Sequence, residues 1–177
     1  MGKIKDIDVE DYWHVINYNY SQIQFAEIKA SAVISIYSIL IGLGFTLDIL
    51  DDENDYNLGF DSFYWIIKVI LFIAAFYFTI VSLKRCIQCI LPILNIAVKK
   101  SPLFFGDIKN FKDFESFNGS FNELLDSPKE YKTHLTQMVY ATANITSIKF
   151  FNVNLAMRHL LKSIVFYALF FLSLYLL

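Results

Sequence analysis

Lys99, Lys100, Lys109, Lys132, Lys149 and Arg158 are basic side chains spread over residues 99–158. Ammonium and guanidinium groups meet phosphate oxygens through charge-assisted hydrogen bonds, so this is the set available to any ligand that carries phosphate. Lys149 and Arg158 are nine residues apart. At about 100° per residue they lie about 180° apart on a helix, so one pocket does not receive both. Other reactive types are sparse. Cys86 and Cys89 form a C-x-x-C pair with no second ligand pair, and read as small packing residues rather than a metal or redox centre. His14, His134 and His159 are far apart, and only His134 is placed to face a carboxylate in a helical bundle. No nucleophile–base pairing or phosphate-cradling glycine loop is present, so an enzyme is not the expectation. Asn118-Gly-Ser120 and Asn144-Ile-Thr146 match the glycosylation pattern by chance if their segment is cytoplasmic.

The elements that carry these residues are dictated by an unusual composition. The 177 residues are 56% hydrophobic and 18% aromatic, with eighteen Phe and eleven Tyr, a load that a water-soluble domain of this size could not bury. The net charge of −2 gives no basic arm for nucleic acid. Ala30 to Leu47 is uncharged for eighteen residues, about 27 Å as a helix and close to the hydrocarbon thickness of a bilayer. A second apolar run covers Phe63 to Leu83, with Lys68 able to snorkel outward. A third runs from Leu160 to Leu177. The expectation is an all-α membrane protein with three transmembrane helices that extend into a cytoplasmic helical bundle.

Charge placement orients it. The stretch 51–61 holds five acids and no base, whereas Lys84, Arg85, Lys99 and Lys100 follow the second run. The reading is therefore 1–29 an N-terminal cytoplasmic amphipathic helix, 30–49 the first span, 50–61 an external acidic loop, 62–84 the second span, 85–159 a cytoplasmic helical region and 160–177 the third span. The N-terminus is cytoplasmic and shows no secretory signal pattern.

The helices outrun the bilayer. Val9, Trp13, Ile16, Tyr20 and Ile23 step by four and three, an a/d seam that needs a partner surface. No proline or glycine separates it from the first span, so one helix runs from about Asp6 into the membrane. The second span is expected to continue toward Lys99, kinked at Pro92. Ser127-Pro128-Lys129-Glu130 combines a capping box with proline at the first helical position. From it a helix of roughly fifty residues, about 75 Å, reaches the chain end, with Tyr131, Leu135, Met138, Thr142 and Ile145 as its seam. Gln137, Asn144 and Lys149 border that seam, where polar groups set register or line a pocket. In the connector "SPLFFGDIKNF", Pro102 ends the second stalk, Gly106 permits a turn, Phe104 and Phe105 bury in the core, and Asp107 caps a helix near Ile108. Asn118-Gly119 is expected to break the following stripe of Phe111, Phe114, Phe117, Phe121, Leu124 and Leu125 into two short helices.

Three stretches in order, "EIKASAVISIYSILIGL", "SPLFFGDIKNFKDF" and "YKTHLTQMVYATANITSIKFFNVNLAMRHL", resemble the Pycsar transmembrane effector family over about residues 26–177, leaving the N-terminal seam outside the shared region. The resemblance implies a bacterial antiphage effector of the inner membrane. A partner cyclase makes a cyclic nucleotide on infection, cyclic UMP or cyclic CMP, and the effector then impairs the membrane. It also singles out Lys149, which matches the family's Lys-aromatic signature, as the ligand-binding residue with Gln137 and Lys100 as neighbours. The expected partners are the lipid bilayer, the nucleotide and further copies of the chain in a homo-oligomer; no metal or other cofactor is expected. The competing expectations are a membrane subunit that docks a soluble partner without a ligand, and a constitutive channel.

Overall fold

The computed structural model describes residues 8–50, 63–93 and 101–176. Over these residues the chain is helical, without strands: α1 (Val9–Leu50), α2 (Phe63–Ile90), α3 (Phe105–Ile108), α4 (Phe114–Asp126) and α5 (Pro128–Leu176). The acidic stretch 51–61, and Lys99 and Lys100, lie outside the described residues.

α1 is unbroken for 42 residues, as the absence of proline and of a glycine before Gly42 predicts, and Glu10 and Asp11 place negative charge on its first turn. α5 runs for 49 residues from Pro128. Its start follows from local chemistry. Ser127 precedes a proline and so takes an extended conformation (φ −114°, ψ 92°), and its carbonyl accepts the Tyr131 N–H at 2.9 Å. Among the described residues three helices are long and apolar enough to cross a membrane: Val9–Leu43, Trp65–Ile90 and Pro128–Ser173.

Four local expectations are revised. α2 stops at Ile90 and residues 91–93 are not helical; the rest of the expected continuation, 94–100, lies outside the described residues. Pro92 lacks the N–H that would bond Gln88, its ring would meet that carbonyl, and it pushes Leu91 out of helical conformation. Pro102 therefore does not end this helix but sits in the turn before α3. Asn118-Gly119 does not break α4, which passes through both residues. Helix continuity costs glycine only about 1 kcal/mol there, less than the rest of the amphipathic segment gains. Gly106 lies inside α3, and no described glycine has a positive φ, so its freedom is not used for a left-handed turn.

The chain forms two compact units. The first comprises residues 1–25 and 91–149. Its core is Ile16 from α1 against Leu135 and Met138 from α5, with Val9, Trp13, Tyr20, Tyr131 and Leu103 packed around them. The two seams read from sequence thus pack on each other within one chain, through Ile16 against Leu135 and Met138. Asn19 Nδ2 adds a cross-helix hydrogen bond to Thr142 Oγ1 at 3.0 Å.

The second unit comprises residues 26–90 and 150–177. Its core is built of small residues, Ala26, Ala30, Cys86, Cys89 and Ala156, with Val33, Tyr37, Val153 and Leu160. Small side chains let helix backbones approach closely, the packing mode of apolar bundles. Buried hydroxyls tie the helices: Ser82 Oγ donates to the Ala156 carbonyl at 2.8 Å, and Tyr37 and Ser163 share a hydrogen bond of 2.9 Å. Cys86 and Cys89 are both buried in this core, and Cys89 Sγ meets the Ala26 carbonyl; no group of three or more metal-ligating residues occurs among the described residues. Ile39, Ile70, Ile73, Leu161 and Leu172 are exposed large apolar side chains of this unit.

Candidate functional site

In the first unit the connector folds into a knot of successive turns. The Ser101 carbonyl accepts from Phe104 N–H, Phe104 from Asp107, and Asp107 from Asn110. Ser101, Phe104, Asp107 and His134 are all buried. Buried polar groups at such a place must find partners, and these find one another. The Asp107 carboxylate accepts the Ser101 N–H at 3.0 Å; the Ser101 hydroxyl accepts the Leu103 N–H at 3.2 Å and lies 2.8 Å from Nδ1 of His134. Asp107 therefore does not cap a helix near Ile108, as expected. Its side chain reaches back along the chain, and the cap is Asp113, whose carboxylate accepts the Ser116 N–H of α4 at 2.8 Å. Phe104 is core, as expected; the Phe105 side chain lies outside what is described.

Beside this knot is an open cavity of about 410 Å³, within the range of small-molecule sites. Pro102, Asn110 and Phe111 come from the connector, Ser120, Glu123 and Leu124 from α4. Glu130 and His134, one turn apart on α5, complete it. The Phe111 ring stands perpendicular to Phe117 at 5.5 Å, and Phe117 stacks on Phe121 at 5.8 Å. Lys109 and Lys112, exposed, flank Asn110-Phe111 in sequence. The cavity thus combines an aromatic face, an amide, a hydroxyl, an imidazole and two carboxylates.

Of the residues singled out from sequence, Pro102 lines this cavity, whereas Lys149 and Gln137 do not. Lys149 is 2% exposed and its Nζ donates to the Leu91 carbonyl at 3.3 Å, just past the end of α2. A cation there suits the negative end of a helix. Gln137 is half-buried on α5, with a buried carbonyl oxygen that has no hydrogen-bond partner among the described residues. Gln137 and Lys149 are twelve residues apart on one helix, a rise of about 18 Å, so they do not converge on one mononucleotide. Lys100 is outside the described residues. Arg158 is exposed on α5. Sequence reasoning missed Asn110, Phe111, Glu123 and Glu130, and gave Ser101 no role; the one available signal was His134, noted as able to meet a carboxylate but found on Ser101.

A comparison with family models matches residues 11–177 to the Pycsar effector protein domain. No curated protein and no solved structure matches. The match begins at residue 11, so Trp13, Ile16 and Tyr20 lie within the family region, not outside it. The ordered motifs, the all-helical fold with three membrane-length apolar helices and a match over nearly the whole length agree: the chain belongs to the Pycsar effector family, whose members act in antiphage defence through cyclic-nucleotide signalling.

Proposed function

We propose that this protein is an inner-membrane antiphage effector that impairs the membrane when a partner cyclase makes a cyclic mononucleotide, cyclic UMP or cyclic CMP, during infection. The observation that carries this reading is the pairing, in one chain, of three apolar helices of membrane length with a unit that holds a polar cavity of mononucleotide size. α1 and α5 contribute residues to both units, so a change in the packing of Ile16 on Leu135 and Met138 acts on the same helices that carry the apolar stretches. The cytoplasmic side is assigned to the first unit by the placement of lysine and arginine, and the acidic stretch 51–61 is assigned outside. Further copies of the chain complete the membrane lesion, because one protomer with three spans encloses no aqueous path.

The reading is tested in cells by following membrane potential with a voltage-sensitive dye. Depolarisation should require both this chain and a pyrimidine-nucleotide cyclase. Equal depolarisation without the cyclase would instead mark a constitutive channel. An unchanged potential with both present would point to a membrane subunit that docks a partner without a ligand.

A further inference from the structure

We infer that the cavity between the connector, α4 and the start of α5 takes the base and ribose of a single cyclic mononucleotide, with its phosphate outward at Lys109 and Lys112. This rests on the reading above and assigns the site that reading leaves open. It also moves ligand binding away from Lys149, whose ammonium is buried on the Leu91 carbonyl.

The orientation follows from charge. Glu123 and Glu130 both line the cavity, and a phosphate placed between them would meet two like charges at close range. The same carboxylates are hydrogen-bond acceptors, suited to the 2′-hydroxyl of a ribose. Asn110 offers an acceptor and two amide donors at one position, the pattern that reads the edge of a base. The Phe111 ring supplies a stacking partner, and it is held in place by Phe117. Lys109 and Lys112 bracket these two residues in sequence and are exposed, so the phosphate is assigned to them by sign of charge and by their adjacency to Asn110 and Phe111. At about 410 Å³ the cavity suits one mononucleotide, whereas a cyclic oligonucleotide would leave most of its surface outside.

The test is equilibrium dialysis of the full chain in detergent against labelled 3′,5′-cyclic UMP and 3′,5′-cyclic CMP. Saturable binding of at least one is expected. Phe111→Leu, which keeps an apolar contact with Phe117 but removes the stacking face, should weaken it about tenfold or more. Glu123→Gln and the double change Lys109→Gln, Lys112→Gln should each weaken it several-fold, the latter with a smaller dependence on salt. Arg158→Gln, exposed and outside the cavity, should bind like wild type. Uridine or cytidine should compete at higher concentration while inorganic phosphate should not; the reverse order would overturn the orientation. Circular dichroism melts identify variants that fold, and if Phe111→Leu does not, the Glu123 and lysine variants decide. Wild-type-like affinity in all folded cavity variants would overturn the site while leaving the nucleotide reading intact. Failure of the wild-type chain to bind either nucleotide would overturn both.

Discussion

His134 Nδ1 and the Ser101 hydroxyl meet at 2.8 Å across thirty-three residues of sequence, both buried. That bond fastens the connector to α5, and Pro102, next to Ser101, and His134 itself are both walls of the cavity. A ligand in the cavity therefore touches the same two places that hold the connector down. Ser101→Ala leaves the imidazole without this partner and the Leu103 N–H without its acceptor, at about 1–3 kcal/mol for a buried site. Ser101→Ala and His134→Ala should be non-additive in a double-mutant cycle followed by thermal unfolding in detergent. Strict additivity would mean that the bond does not couple the two elements.

Gly119→Ala should stabilise the protein. A Cβ at Gly119 meets nothing within 4 Å, and the residue lies in the exposed interior of α4. Alanine there should raise helix stability by about 0.5–1 kcal/mol, read as a higher melting temperature. A lower one would show that α4 is interrupted at Asn118-Gly119 after all.

Those two residues illustrate what the sequence could and could not reveal. The three apolar runs, the unbroken α1 and the Ser127-Pro128 start of α5 were legible because each depends on chain-local chemistry: charge-free length, absence of breakers, and a proline that fixes its neighbour. The seams at Val9–Ile23 and Tyr131–Ile145 were legible as periodicity, but not that they would pair with each other. Asp107 and Asp113 are equally good caps by local rules; the Ser101 N–H, six residues back, claims the first and leaves the second. Pro92 was read as a kink although a proline two residues after Ile90 also ends a helix, and nothing local distinguishes the two outcomes. The cavity was hidden because its walls come from three separated stretches, and none of them carries a motif.

Lys149→Met should lower stability rather than remove ligand response selectively. Losing a hydrogen bond from a buried ammonium costs about 1.5–3 kcal/mol. The expected result is a reduced melting temperature with cyclic-nucleotide affinity of the folded protein within about threefold of wild type, a change of less than 1 kcal/mol. A normal melt with binding abolished would return Lys149 to the ligand site.

Leu135→Ala should damage folding of the first unit, not association. Leu135 is fully buried against Ile16, and truncation of such a leucine costs about 2–5 kcal/mol. Circular dichroism should show earlier unfolding, and light scattering in detergent should show unchanged particle mass for the folded fraction. A shift in mass with an unchanged melt would mean that this seam is an interface between copies.

The arrangement in the membrane is open to cysteine labelling of Asn54→Cys and Lys112→Cys in intact cells. Lys112 is exposed, unlike the buried Ser101, so its reagent access reports sidedness rather than packing. Asn54→Cys should react from outside and Lys112→Cys only after permeabilisation. Labelling of Lys112→Cys in intact cells would invert the assignment.

The central claim, that a cyclic mononucleotide switches this chain to impair a membrane, is met most directly by dye efflux from liposomes carrying the purified full-length protein. Efflux should be at background without nucleotide, rise on addition of cyclic UMP or cyclic CMP, and fall back to background with Phe111→Leu at the same nucleotide concentration. Equal efflux with and without nucleotide, or none at concentrations where dialysis shows the site filled, would contradict it.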